Sequence, residues 1–233
     1  MNKFLTFITF LFLSGLSYSN ATAGERLEYQ VKVAGVDFGT GVLFKKDKKL
    51  YGELKTNSKW GSVYAVDNSM ASWIGEAKTP KRTEIDFRMR GKHIRFDFTY
   101  PTQKTVKITK WRPHRKPQKY AVKHQAAVYD FLSMIEDIRK SFSFEKRSYS
   151  IITGRRIYDV NFTQVKEEDI TTPVGVKKAV LYSVIATRPG SFRQEMRVWF
   201  EKSPDAVPLK LVGNTKLGMF EVSLVKRLLE GSK

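Results

Sequence analysis

The chain has 233 residues, no cysteine, and 42 Lys or Arg against 23 Asp or Glu, a formal charge of +19. Without thiols it has no disulfide staples, thiol nucleophiles or thiolate metal centres. So large a positive balance speaks about partners and association rather than fold, and directs attention to polyanions.

The chain opens with Met-Asn-Lys, an apolar run FLTFITFLFL, and a polar stretch closing on Ala21-Thr22-Ala23. A short basic region, an apolar core of ten residues and a small-x-small site read as a secretory signal, residues 1–23, cleaved after Ala23. The core is shorter than the roughly 20 residues of a spanning helix, and Ser14, Gly15 and Ser17 interrupt it. A retained membrane anchor is the alternative. Cleavage removes Lys3 and no acid, so the mature chain keeps +18, that is 19 minus 1. Residues 24–233 are then expected to form one soluble periplasmic domain, free or peripheral to the outer membrane, with no transmembrane segment.

From residue 24 the dominant signal has a period of two. In RLEYQVKV, Leu27, Tyr29, Val31 and Val33 alternate with polar neighbours, as in a strand with one wet face. GVDFGTG also reads as strand. TEIDFRMR and GKHIRFDFTY repeat the alternation on either side of Arg90-Gly91-Lys92, which predicts a hairpin. QKTVKITKW continues it. KWRPHRKPQKY, with Pro113 and Pro117, is disfavoured as helix or central strand. It reads as a basic strand end and loop.

In QAAVYDFLSMIEDIRK, Val128, Phe131, Leu132, Ile135 and Ile138 recur at helical spacing. This predicts one main amphipathic helix over about 125–140, with Arg139 and Lys140 complementing its C-terminal dipole. A shorter helical turn is expected in WGSVYAVDN. Six further strand signals follow, from SYSIIT to MFEVSLVKRLL, divided by Gly154, Pro173 with Gly175, Pro189-Gly190, Ser203-Pro204-Asp205 and Gly213-Asn214. Around eleven short strands predict a mainly β fold: a curled antiparallel sheet, an open barrel or half-barrel, with the helix packed on it.

Residues carrying chemistry are sparse. His93, His114 and His124 lack metal-ligand spacing, and there is no Gly-x-Ser-x-Gly elbow, phosphate loop or dinucleotide fingerprint. No catalytic, cofactor or metal residue is assigned, and no cofactor is expected. Glu167-Glu168-Asp169 lacks a calcium-loop spacing. Asp130 and Ser133 share one helix face. They form either a polar spot aimed into a cavity or a structural pair, in which Asp130 bonds nearby backbone or an arginine.

The remaining feature is basic surface. Phe98 to Tyr129 contains no acid and eight Lys or Arg. The candidate anionic-surface residues are Lys104, Lys107, Lys110, Trp111, Arg112, Arg115, Lys116, Lys119 and Lys123. Arg88, Arg90, Arg95, Lys107 and Lys110 are placed on the outer face of the strands, opposite apolar residues. Trp111, flanked by cations beside Pro113, is a ring that could lie at an interface. A solvated loop aiding only solubility is the bland reading.

Several spacings resemble an exported bacterial family, domain of unknown function three-one-zero-eight. Leu27, Tyr29, Val31, Gly35 and Gly39 match its opening, and Asp130, Leu132, Ser133 and Arg139 its middle. Thr172, Pro173 and Gly175 match a later turn, Trp199, Asp205 and Pro208 a strand and its exit, and Leu217, Gly218, Leu224 and Val225 the end. Ile135-Glu136 stands where the family often has an aromatic residue. The resemblance implies export and a curled β structure with one main helix, and carries no activity.

The expectation is a non-enzymatic periplasmic binding protein for an amphipathic or anionic envelope component: a lipid, lipopolysaccharide or a cell-wall fragment. The alternatives are an envelope enzyme acting on glycan or peptide crosslinks, for which Asp130, Glu136 and Asp205 are the acids to test, and a basic scaffold for an acidic protein. Export argues against nucleic acid as a partner.

Overall fold

The computed structural model describes residues 24–75, 79–142, 145–190, 192–215 and 218–230; the expected secretion signal and its cleavage site lie outside them. The first half of the chain forms β1 (Gly24–Val33), β2 (Val36–Lys46), β3 (Lys49–Thr56), helix α1 (Ser58–Tyr64), β4 (Val66–Ile74), β5 (Pro80–Met89), β6 (Lys92–Thr102), β7 (Thr105–Arg112) and β8 (Arg115–Lys123). The second forms β9 (Val128–Tyr129), helix α2 (Phe131–Lys140), β10 (Lys146–Thr153), β11 (Arg156–Thr172), β12 (Gly175–Arg188), β13 (Phe192–Glu201), β14 (Pro208–Thr215) and β15 (Gly218–Glu230).

All of these strands belong to one sheet, in the order β8-β7-β6-β5-β4-β3-β2-β1-β15-β14-β13-β12-β11-β10-β9. Strands adjacent in the sheet are adjacent in the chain except at the centre. There β1 and β15 pair antiparallel, from Gly24 opposite Glu230 to Val33 opposite Phe220. The two edge strands, β8 and β9, are also consecutive, joined by residues 124–127. Five Cα steps span at most about 18 Å, so this link pulls the two edges together at one corner. The Val128 N–H then donates to the Gln103 carbonyl, in the turn between β6 and β7, at 2.7 Å. The result is a curled, open barrel, as the alternation implied.

Local chemistry accounts for the turns. Arg90 (φ 51°) and Gly91 (φ 72°) both have positive φ, as a two-residue turn of the mirror-image type requires. Met89 pairs with Lys92 across it, giving the expected hairpin. Around Pro113 the expectation of a loop fails. β7 and β8 form a second hairpin, Arg112 opposite Arg115, with Pro113 and His114 (φ 57°) at its turn. Proline fits the first central position of such a turn. Pro117 is tolerated because β8 is an edge strand, where its missing N–H faces no neighbour.

Other expectations shift in extent. Helix α2 begins at Phe131, not near 125, because Val128 and Tyr129 pair with Ser150 and Ile151 as a short parallel strand. The expected turn in WGSVYAVDN is α1, capped by Asn57, whose Oδ1 accepts from the Trp60 N–H at 3.1 Å. Among the described residues there are fifteen strands where around eleven were expected. β11 runs on through Glu167-Glu168-Asp169.

α2 lies inside the curl and touches both halves of it. Leu132 packs with Ile85, Phe98 and Ile108 of the first half. Met134 and Ile138 pack with Tyr182, Phe200 and Phe220 of the second. Burying each such side chain favours the fold by about 1.5–3 kcal/mol. No helix of the described residues is long and apolar enough to cross a membrane.

Candidate functional site: a cavity under the helix and an acid-free edge

The concave face of the sheet is apolar because each strand turns one parity of side chains inward. Between that face and α2 lies a cavity of about 70 Å³. Phe131, Met134 and Ile135 of α2 form its roof, and residues such as Tyr29, Met70, Ile152 and Phe200 its walls. Polar groups are few, and Tyr29 is committed, its hydroxyl donating to the Pro208 carbonyl at 3.0 Å. Small-molecule sites usually measure about 300–1,000 Å³, so most of this interior is filled by the protein's own side chains.

Asp130 and Ser133 are brought together at the start of α2 as a reciprocal cap. Asp130 Oδ1 accepts from the Ser133 N–H at 2.9 Å, and Ser133 Oγ accepts from the Asp130 N–H at 3.1 Å. Asp130 Oδ2 also accepts from Ser72 Oγ in β4 and Thr83 Oγ1 in β5, each at 2.6 Å. Tyr100 Oη lies 3.2 Å from Thr83 Oγ1. Asp130 is 1 % exposed. Burial raises its pKa above the ordinary value, more than the bonds from Ser72, Thr83 and the backbone lower it. Asp130 thus bonds backbone and two strand hydroxyls, not Arg139.

The other acids named for catalysis are held by cations. Glu136 is buried between Lys45 and Lys140, both at 2.8 Å. Burial opposes its charge, yet the two ammonium groups outweigh that and hold its pKa below the ordinary carboxylate value. Asp205 meets Arg227 at 2.5 Å, and Arg139 bonds Glu25 at 2.6 Å. Asp137 accepts from Tyr149 Oη at 2.8 Å and pairs with Arg147 at 2.9 Å. The pairs Glu136–Lys45, Arg139–Glu25 and Asp137–Arg147 tie α2 to strands of the barrel wall. Of the acidic run in β11, Glu168 bonds Lys166 and Trp199, and Glu167 bonds Lys202. Among the described residues no group of three or more acids or histidines is arranged to hold a metal.

The β7–β8 hairpin carries the basic candidates. Lys104, in the turn before β7, is exposed, as are Lys107, Arg112, Arg115, Lys116, Lys119 and Lys123. Lys107, opposite Ala121, has Lys119 and Lys123 as diagonal neighbours on the outer face. Such diagonals are about 7–8 Å apart. Among the described residues none of these cations makes an ion pair. The neighbouring hairpin differs: Arg82 pairs with Glu84 and Asp97, and Arg88 with Asp86.

Two basic candidates lie elsewhere than expected. Lys110 is not on the outer face with Lys107; it shares parity with Val106 and Ile108, points inward and is 9 % exposed. Strand alternation forbids Lys107 and Lys110 from facing the same way. Trp111 is not in a loop. It is the penultimate residue of β7, on the outer face and half-buried, with the Arg95 guanidinium 5.6 Å from its ring centre. Sequence reasoning also missed Arg155, in the β10–β11 turn, which lies over the Tyr120 ring at 4.6 Å. No periodicity marks a turn residue that the curl carries across the barrel.

The DUF3108 family, proteins of unknown function, matches residues 28–225. No curated protein matches the chain. Among solved structures, a beta-barrel-like protein of domain of unknown function DUF1849 from Brucella abortus aligns with a TM-score of 0.61 at 10% identity, covering 91% of this chain and 99% of that one. At that identity the likeness concerns fold alone. A protein from Bacteroides fragilis described as exported, with a YmcC-like fold, aligns with a TM-score of 0.31 at 8% identity over 93% of this chain and 99% of that one. A protein from Parabacteroides distasonis described as a lipoprotein aligns with a TM-score of 0.36 at 13% identity over 89% and 96%.

Proposed function

The chain belongs to the DUF3108 family of proteins of unknown function, and from that premise we propose that it is an exported, non-enzymatic binding protein that docks on phosphate-bearing lipid of the cell envelope. The secretion signal read in residues 1–23 would deliver residues 24–233 to the periplasm as one domain.

One observation carries the reading: seven exposed cations on the acid-free turn and hairpin at one sheet edge, Lys104 to Lys123, none of them in an ion pair among the described residues. Like charges held in register repel one another. A plane of anionic headgroups relieves that repulsion, and each Lys or Arg near such a surface adds about 1 kcal/mol. The edge position leaves the hairpin's outer face free to lie flat on such a plane. The small interior volume weighs against a carrier that swallows a whole lipid and favours surface docking. Against the crosslink-cleaving alternative, buried Asp130 and Glu136 are committed to hydrogen bonds and ion pairs within the fold, and exposed Asp205 pairs with Arg227.

The test is co-sedimentation with vesicles of phosphatidylcholine alone or with added phosphatidylglycerol. Binding should require the anionic lipid, and the triple variant Lys107→Glu, Lys119→Glu, Lys123→Glu should bind up to about a hundredfold more weakly. Equal binding of the triple variant would refute docking through this edge. Capture of one acidic protein, with no vesicle binding, would favour the scaffold reading.

A further inference from the structure

The inward turn of Lys110 leaves an ammonium group in an unusual position. A charge taken out of water is costly unless it is paired. Lys110 is 9 % exposed, and among the described residues no carboxylate pairs with it. Its ammonium lies over the Phe96 ring, 5.4 Å from the ring centre. The surrounding charges have its own sign. Burial lowers its pKa, and Arg112 and Arg155 lower it further.

Three separate pieces of chain build this spot. β7 supplies Lys110 and Arg112. Across the hairpin, Gln118 of β8 stands opposite Lys110, and Tyr120 Oη donates to Gln118 Oε1 at 2.8 Å. That bond engages the amide oxygen, so the amide NH₂ of Gln118 is the group it can offer as a donor. The β10–β11 turn supplies Arg155, stacked over Tyr120, while Gly154 approaches Phe96 closely enough that an added Cβ would lie 3.9 Å from its ring. The site lies where the basic edge meets the interior, because Thr153, next to Gly154, lines the cavity under α2.

We propose that inward-turned Lys110 and the exposed Arg112, Gln118 and Arg155 form a site for one phosphate group, at the rim between the basic edge and the apolar interior. An ammonium as a point charge, guanidinium forks and an amide donor are the groups that recognise phosphate oxygens. The proposal deepens the docking reading and rests on it for the ligand class, because a lipid phosphate at the membrane surface is one source and free phosphate the other. Arg112 is common to both, but Lys107, Lys119 and Lys123 are on the opposite face from Lys110 and Gln118, so separate variants test the two readings.

Isothermal titration of the protein recovered from the periplasm of an expression host tests it, with inorganic phosphate and soluble dihexanoyl phosphatidic acid as probes. The unaltered chain should bind at least one probe. Lys110→Met and Arg155→Gln should each weaken that binding by about tenfold or more, whereas Lys107→Glu with Lys119→Glu should leave it within about twofold. Tighter binding of the lipid probe assigns the site to lipid phosphate; equal affinity assigns it to phosphate itself. No binding of either probe, or unchanged affinity in both Lys110→Met and Arg155→Gln, overturns the proposal. Removing an unpaired buried charge should leave the melting temperature of Lys110→Met unchanged or higher. If that variant misfolds, Arg155→Gln in its exposed turn decides the matter alone. Loss of vesicle docking with phosphate binding intact would sink the docking reading and not this site.

Discussion

Ser72 Oγ, in β4, donates to Asp130 Oδ2 at 2.6 Å, which fastens the first turn of α2 to the inside of the sheet. The same oxygen takes the Thr83 hydroxyl of β5, while the other caps the helix through the Ser133 N–H. Asp130→Ala removes an N-cap, worth about 1 kcal/mol, and strands two buried hydroxyls at about 1 kcal/mol or more each. The expected loss is about 3 kcal/mol, or a fall in melting temperature of about 6–12 °C for a chain of this size. A thermal melt followed by circular dichroism measures it. A fall below about 2 °C would mean that α2 is held by apolar packing alone.

Two acids of α2 should respond to pH with opposite signs. Asp130 has a folded-state pKa raised by burial. Its contribution is therefore fully present below the unfolded pKa, about 3.9, and is lost as pH rises through the folded value. Glu136 has a folded-state pKa lowered by Lys140 and Lys45 against the cost of burial. Its contribution is present above the unfolded pKa, about 4.3, and is lost as pH falls through the folded value. The melting-temperature gap between the unaltered chain and Asp130→Asn should shrink as pH rises from 3.5 (about the lower limit of that window) toward neutrality. The gap to Glu136→Gln should widen over the same range. Parallel curves for the two variants would contradict the assignment.

Much of this architecture was legible wherever one face of an element was cleanly apolar. Leu27, Tyr29, Val31 and Val33 all face inward, and Leu132 and Ile138 of the helical stripe are buried. Legibility failed where the inward position carries a small or polar side chain. β4 turns Asn68 and Ser72 inward, and β3 places Gly52 between Leu50 and Leu54. Their alternation disappears from the sequence although the pairing is complete. Val128 fits the helical stripe, but it pairs with Ser150 of β10 as strand. The parity that turns Lys110 inward was present in Val106, Ile108 and Lys110, and its charge disguised it. The meeting of Arg155 with Tyr120 depends on the closing of the curl, and no local pattern encodes that contact.

Glycines separate tight from open places in the fold. Gly39 lies beside the register shift between β1 and β2, and an added Cβ would sit 2.0 Å from the Lys55 carbonyl oxygen of β3. Backbone cannot yield as a side chain can, so Gly39→Ala should destabilise by more than about 2 kcal/mol. Gly61, in α1, has nothing within 4 Å of such an atom. Gly61→Ala should stabilise by about 0.5–1 kcal/mol, through helix propensity and a less flexible unfolded chain. Urea unfolding of the two variants should move the midpoint in opposite directions, and a shared direction would contradict the geometry.

The covered ring of Trp111 distinguishes electrostatic docking from membrane insertion. With Arg95 over one face and the rest of the ring half-buried, the indole is not free to enter a bilayer. Docking through Lys107, Lys119 and Lys123 should then be governed by screening, whose length falls from about 10 Å at 0.1 M salt to about 3 Å at 1 M. Vesicle binding should weaken steeply between these concentrations, and Trp111→Phe should bind as the unaltered chain does. Binding that survives 1 M salt (a screening length of about 3 Å) but is lost in Trp111→Phe would show instead that the ring, and not the lysines, anchors the protein.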